Sequence, residues 1–304
     1  MTTQKILQKR VQYHAKRLAD PQKQKRFDET HAELSSRLAL PFLPQITHIA
    51  IRLGLLACWH ATVGLDRLAK HETAGWSDVH KAFRYQVLAA RIMIYKSSTL
   101  APPANSEPFL LRKHYLVHTL PYANDFSLCA AYTGFHQLPE HHLLCNHLVK
   151  AIAVSDPARV SSLACFTTWL YKKGNGSDRV DDKETDPVIQ AGLRVYSGIP
   201  KSWGSEDKFS VALSAICDYH CQRIWSVSTD LTDFGLAPSD LVPYEVLFMI
   251  CTRNRLGLGL PAVSHSLLTS EFAQPPSDDL HEDKLYDFIY KKVAEIDFLE
   301  EIPS

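Results

Sequence analysis

Residues 44–70 read PQITHIAIRLGLLACWHATVGLDRLAK, and their periodicity decides the fold class. Ile46, Ile49, Leu53, Leu56, His60, Val63 and Leu68 recur at helical spacing and share a stripe, as the buried side of an amphipathic helix requires. Pro44 sits in the first turn, where its missing N–H costs nothing. Downstream, Ser77 is placed to cap the next helix, with Asp78 favourable against the helix dipole. That pattern continues through Phe83, Val87, Ala90 and Ile94 to about Ser97, and Pro102-Pro103 breaks it.

The same spacing predicts helices over 108–118, 124–136, 140–154 and 157–172, started by Pro108, Pro139 and Pro157, with Ser155 or Asp156 capping the last. The polar stretch 173–186 (KGNGSDRVDDKETD) is an exposed loop. Helices follow over 187–198, 206–225, 239–255 and 279–299. The last lines up Leu285, Phe288, Ile289, Val293, Ile296 and Leu299 and is capped by Ser277 after Pro275-Pro276. Strand alternation is not sustained anywhere, since runs such as Ile92-Met93-Ile94 lie inside longer helical patterns. The fold class is all-α: an irregular helical bundle or stacked helical hairpins, about ten to twelve helices. No fixed period recurs, which disfavours a solenoid. One domain over 1–304 is expected, the alternative being two lobes, 1–172 and 187–304, joined by the acidic loop 173–186.

Composition supports a full core, with 45% hydrophobic and 22% charged residues among 304. The 33 basic and 33 acidic side chains cancel, which argues against nucleic acid as a partner. The cancellation conceals a gradient. Residues 1–26 hold eight Lys/Arg against Asp20 alone, and residues 271–304 hold ten acids against three Lys, so the two stretches carry +7 and −7. The longest stretch without a charged residue, 256–270, is shorter than the roughly 18 residues of a membrane span. The first 26 residues lack the apolar segment of a secretory signal. Seven scattered cysteines fit free thiols in a reducing compartment, and a cytoplasmic location is expected.

Motif-like strings fail on a neighbour or a context. His114 and His118 share a helix face, but a zincin needs Glu after the first His, and Tyr115 stands there. Cys217 and Cys221, with His141 and Cys145, have ligand-like spacing without a C-x-x-C pair, and Cys217 falls on the apolar stripe of Phe209, Leu213 and Ile216. No metal and no cofactor is expected. Arg112 and His118 resemble the R-x(4–6)-H signature of all-α dimeric ribonucleases of the HEPN superfamily, with Lys113 departing from the family's usual small polar residue or His. Their resemblance implies RNA cleavage with His118 as acid/base, the alternative to a non-catalytic role or a helical scaffold. Gly257-Leu258-Gly259-Leu260-Pro261-Ala262 fits G-x-G-x-x-A, but a helix precedes it, so the glycines end that helix, with Arg253 and Arg255 favourable there. No G-x-S-x-G elbow, phosphate loop or His-Asp dipeptide is present. Of the tryptophans, Trp203 beside Gly204 is expected to be exposed.

Two acidic stretches offer a docking face for a basic partner: Asp178, Asp181, Asp182, Glu184 and Asp186 in the loop, and the C-terminal stretch with Asp278, Asp279, Glu282 and Asp283, then Asp297, Glu300 and Glu301. Solubility alone also explains such runs. The basic cleft of a nuclease is one surface that an acidic helical protein could occlude.

From Phe209 the chain reads FSVALSAICDYHC, and from Leu241 LVPYEVLFMICTRNRLGLGLPAVSHSLL. This tract, 209–268, resembles the C-terminal part of all-α immunity proteins of bacterial polymorphic toxin systems. The likeness is carried by Asp218 and His220 on one helix, Pro243 and Glu245 opening the next, then Arg253, Gly257, Pro261, His265 and Leu267. It implies a cytoplasmic antidote that binds a cognate toxin and blocks it without catalysis. A homodimer is compatible with the sequence.

Overall fold

The computed structural model of the protein describes residues 2–99, 123–153, 155–156, 160–175, 187–225, 234, 239–260, 262–276 and 283–297, the side chains of 225, 296 and 297 aside. Twelve α-helices and no strand occur among the described residues, so the protein is all-α. The chain divides into two compact units. The larger holds residues 1–10 and 101–274, the smaller 11–100 and 275–304. The 173–186 loop thus falls within the larger unit.

Helix α1 spans Thr3–Leu18, with the division between units at Arg10/Val11, and α2 spans Pro21–Leu38. Neither helix figures in the expectations above. Asp20 caps α2 by accepting the Gln22 N–H at 2.9 Å, and Pro21 fills the first position. In the smaller unit α2 packs on α3 (Phe42–Ala69), which buries Ile46, Ile49, Leu53 and Leu56 as their spacing predicts. Helix α4 (Gly75–Thr99) turns back along α3. It starts two residues before Ser77, so that residue lies inside the first turn. Its position follows from a close backbone approach. A Cβ on Gly64 would stand 2.6 Å from the Gly75 carbonyl oxygen, and one on Gly75 would stand 2.5 Å from that of Gly64. Asp78, besides facing the helix dipole, accepts from Arg67 at 2.6 Å and lies 3.3 Å from His60 Nδ1, joining α4 to α3.

The last helix, α12 (Lys284–Asp297), completes this core by placing Tyr286, Ile289 and Val293 beside Leu34, Ile49, Leu53, Leu88 and Ile92. It begins after Asp283, not Ser277, which lies outside the described residues. Asp283 accepts the N–H groups of Leu285 and Tyr286 at 3.1 and 3.2 Å, the Tyr85 hydroxyl at 2.9 Å and Lys81 Nζ at 2.9 Å. Arg84 lies 3.8 Å over the Tyr286 ring. Among the described residues α3 is the one helix long and apolar enough to cross a membrane.

The larger unit is built around α5 (Ala123–Phe135), buried on nearly every side and packed against α6 (Glu140–Ala153), α7 (Ser162–Gly174) and α11 (Tyr244–Arg255). An apolar helix with no polar face belongs at the centre of a bundle. Three expected boundaries move. Helix α7 is capped by Ser161, whose Oγ accepts the Ala164 N–H, instead of by Ser155 or Asp156. The stretch 187–198 breaks into α8 (Pro187–Gly192) and a 3-10 turn at Arg194–Ser197, where Arg194 has φ +46°; α9 (Gly198–Ser202) follows. Helix α11 starts after Pro243, because that proline cannot continue a helix from upstream. Helix α10 spans Glu206–Trp225, as its spacing predicts. The helix expected at 108–118 lies outside the described residues.

Trp203 is buried, at 8% exposure, contrary to expectation. Its ring meets Trp169 and Phe209 edge-on at 5.1 and 5.6 Å, because the turn after α9 folds inward under α11. All seven cysteines are free, five of them buried.

Candidate functional site

The tract that carries the family likeness folds as one piece of the larger unit. Helix α10 supplies Asp218 and His220, α11 supplies Glu245 and Arg253, and the segment after α11 supplies Gly257, His265 and Leu267. The structure pairs them. His220 Nδ1 donates to Glu245 Oε1 at 2.6 Å, both side chains wholly buried, and the Phe234 ring lies 4.3 Å from the imidazole. Burial of this kind holds only with a partner, since an isolated charge in an apolar interior is costly. The second atoms of the pair, His220 Nε2 and Glu245 Oε2, are buried without a hydrogen bond. An orphaned atom of this sort costs about 1–3 kcal/mol, so the pair is costly to keep.

At the surface His265 Nδ1 accepts the Leu267 N–H at 3.1 Å, which leaves Nε2 as the ring donor to Asp218 at 3.2 Å. That arrangement ties the segment after α11 to α10. Arg253 is 2% exposed and lies 4.3 Å over the Phe209 ring. It donates from Nε to the Gly259 carbonyl at 2.8 Å and from a terminal nitrogen to the Trp203 carbonyl. Gly257, at φ +70°, ends α11 in the left-handed region that its lack of a Cβ permits. Arg255 reaches the Gly134 carbonyl at 2.8 Å. Both arginines therefore serve backbone carbonyls at a helix end. Pro243 is the residue before α11, and Pro261 lies outside the described residues.

The cysteines flanking His220 are not poised for chemistry. Burial first, then the Glu245 carboxylate and Cys221, push the Cys217 thiol well up, and burial followed by Asp218 and Glu245 pushes Cys221 up to about 12. Both remain thiols at neutral pH, without the thiolate that a nucleophile needs. On α6, burial lowers His141 to about 4, so its ring is neutral and donates from Nδ1 to the Ala130 carbonyl at 2.9 Å. His142 Nδ1 donates to the Tyr171 hydroxyl at 3.0 Å, and that hydroxyl donates to Asn146 at 3.2 Å. Among the described residues no group of three His, Cys, Asp or Glu is arranged to hold a metal ion.

No family model, curated protein or solved structure matches this chain. The eight acids proposed as a docking face, Asp178, Asp181, Asp182, Glu184, Asp186, Asp278, Asp279 and Glu282, all lie outside the described residues. So do His114 and the pair Arg112 and His118. Asp283, the described neighbour of the second acidic stretch, is turned inward. Burial works to raise its carboxyl, but the bonds from Lys81, Tyr286 and Tyr85 hold it below the usual range. The concave surface of the smaller unit went unforeseen. It is lined by Arg17, Lys23, Arg26 and Arg52 together with Glu29 and Glu33. The basic surplus of residues 1–26 was its one sign in the sequence.

Proposed function

We propose that this chain is a cytoplasmic immunity protein that binds a cognate bacterial toxin and blocks it without chemistry of its own. One observation carries the proposal. The positions that give the tract 209–268 its likeness to immunity proteins pair with one another, Asp218 with His265 and His220 with Glu245, while Arg253 clamps the turn after α11. A likeness that arose by chance has no reason to select residues that meet across 25 and 47 positions of chain. The pairing also supports a non-catalytic role. His220, Glu245 and Arg253 are consumed as braces, so the activity of the protein resides on its surface. A toxin with a basic face, such as a nuclease, suits the acids at 178–186 and 278–282, which would steer its approach.

The test is binding and inhibition of the toxin encoded next to this protein. The purified pair should form a stable complex, and toxin activity should fall in proportion to the protein added. Lys in place of Asp178, Asp181, Asp182, Glu184 and Asp186 together should slow association about tenfold at low salt and less at high salt. Absence of binding and of inhibition by the unaltered protein would overturn the proposal.

A further inference from the structure

The smaller unit carries a cleft of about 410 Å³ between the end of α1, α2 and α3. Its floor is aromatic: Phe27 and Trp59 stack with ring centres 5.1 Å apart and planes 23° from parallel. Leu55, one turn before Trp59, is 48% exposed and lines the same cleft. From Leu55 an apolar strip runs back along α3 to Ile51, which is 53% exposed. Ile51, Leu55 and Trp59 recur every four residues and so share one helix face. The strip from Ile51 to Trp59 is about 12 Å long at 1.5 Å per residue. Single exposed aliphatic residues are ordinary, whereas a row that ends in an aromatic cleft marks an interaction surface.

The charges around the cleft are arranged for something outside it. Two acids line it. Glu33 is held by Arg52 at 2.5 Å and Arg37 at 3.0 Å, and those two bonds, Arg52 first, keep its carboxyl below the usual range. Glu29 lies 3.8 Å from Lys25. No carboxylate among the described residues pairs with Arg17, Lys23 or Arg26 at the rim; Arg17 rests instead 5.7 Å over the Tyr13 ring. Arg52 Nε is buried without an acceptor.

We infer that the cleft and its strip form a docking groove for an acidic amphipathic α-helix of a partner protein. Ile51, Leu55 and Trp59 recur once per turn, as a helix laid in a groove requires. The strip's length matches about two turns of such a helix. The unpaired cations select carboxylates on the flanks of that helix, and arginine can grip them in pairs. A membrane surface fits less well, because Phe27 and Trp59 line a concave cleft that a flat bilayer does not fill. This inference stands apart from the toxin proposal, which rests on residues 209–268 and on acids.

The experiment titrates the full chain into fluorescein-labelled synthetic helices of about 16 residues, with leucines on one face and glutamates on both flanks. A second set replaces glutamate by lysine. The acidic helices should bind with Kd on the order of 10 µM, and the lysine set should not. Leu55→Glu and the double variant Lys23→Glu/Arg26→Glu should each weaken binding about tenfold or more, equivalent to about 1.4 kcal/mol. The double variant should bind the lysine helices instead. Leu55 and Arg26 are exposed and Lys23 is half-buried, and circular dichroism should show unchanged helix content. Absence of binding to the acidic helices overturns the inference, as does binding indifferent to these substitutions. Co-sedimentation with phosphatidylserine-containing vesicles that depends on Leu55, without helix binding, also overturns it and assigns the face to a membrane.

Discussion

The two units hold themselves together differently. In the larger one, polar side chains are turned inward: His220 on Glu245, Arg253 on the carbonyls of Trp203 and Gly259, Arg255 on that of Gly134. In the smaller one, α3 and α4 meet backbone to backbone at Gly64 and Gly75, and Arg17, Lys23 and Arg26 face a cleft whose two acids, Glu29 and Glu33, pair with other cations. The difference separates two kinds of charged residue. A charge whose partner lies within the fold is a brace. A charge left at the rim of a concave apolar surface has its partner elsewhere.

The largest effect that could break this contrast lies in the larger unit. Glu245→Ala leaves His220 buried without its acceptor and should cost about 3–5 kcal/mol of stability in urea unfolding. Glu245→Gln keeps an oxygen for the His220 N–H and should cost about 1–2 kcal/mol. Equal losses from the two would show that charge, not the hydrogen bond, holds the pair. Gly75→Ala comes next. Its methyl would collide with the Gly64 carbonyl, forcing α4 off α3 at about 2–3 kcal/mol, by the same measurement. A smaller loss would mean that the hairpin is looser than its backbone contact implies.

Asp283→Asn should cost about 1–2 kcal/mol near neutral pH, through the lost ion pair with Lys81 and a weaker cap. Its pH dependence follows from the direction of the shift. A carboxyl held below its ordinary value stabilises the fold above its unfolded pKa, and that share is lost as pH falls through the lower folded value. Stability of the unaltered protein should therefore drop more steeply than that of Asp283→Asn below about pH 4. Tyr85 acts at the other end. Burial and Asp283 raise its hydroxyl, so its contribution persists below about pH 10 and is lost as pH rises further. Smallest of all, Lys23→Glu and Arg26→Glu should each change stability by less than about 0.5 kcal/mol, because neither side chain has an internal partner to lose. A large loss from either would move that residue into the class of braces.

Much of this architecture was legible along the chain. Helices α3, α5, α6 and α10 stand within about two residues of their expected bounds, because each buries enough apolar residues at helical spacing to reveal its period. Helices α1 and α2 were not visible by that signal. Only Thr30 and Leu34 of α2 are buried, and its start is marked instead by Asp20-Pro21, a cap signature. Trp203 was misplaced because its neighbours Pro200 and Gly204 mark a turn, whereas its burial depends on Arg253, fifty residues away. The pairs His220–Glu245 and Asp218–His265 are distant contacts of the same kind. The residues that make them could be named from the sequence, but their partnership could not. Asp283 reads as one more acid in a run because its partners Lys81 and Tyr85 sit on α4.

The smaller unit is discontinuous, and this governs the order in which it can form. Residues 34–92 bring together most of one apolar core, yet Tyr286, Ile289 and Val293 belong to the same core. While the chain is being made, α3 and α4 can zip through local contacts long before α12 exists. Until residues 284–297 emerge, the face of α3 and α4 that awaits them remains wet and adhesive, and residues 101–274 of the larger unit are synthesised in the interval. Nascent chains arrested before residue 284 should therefore be the species most prone to self-association and to capture by chaperones. The final helix acts as a late latch on a structure begun near the amino terminus.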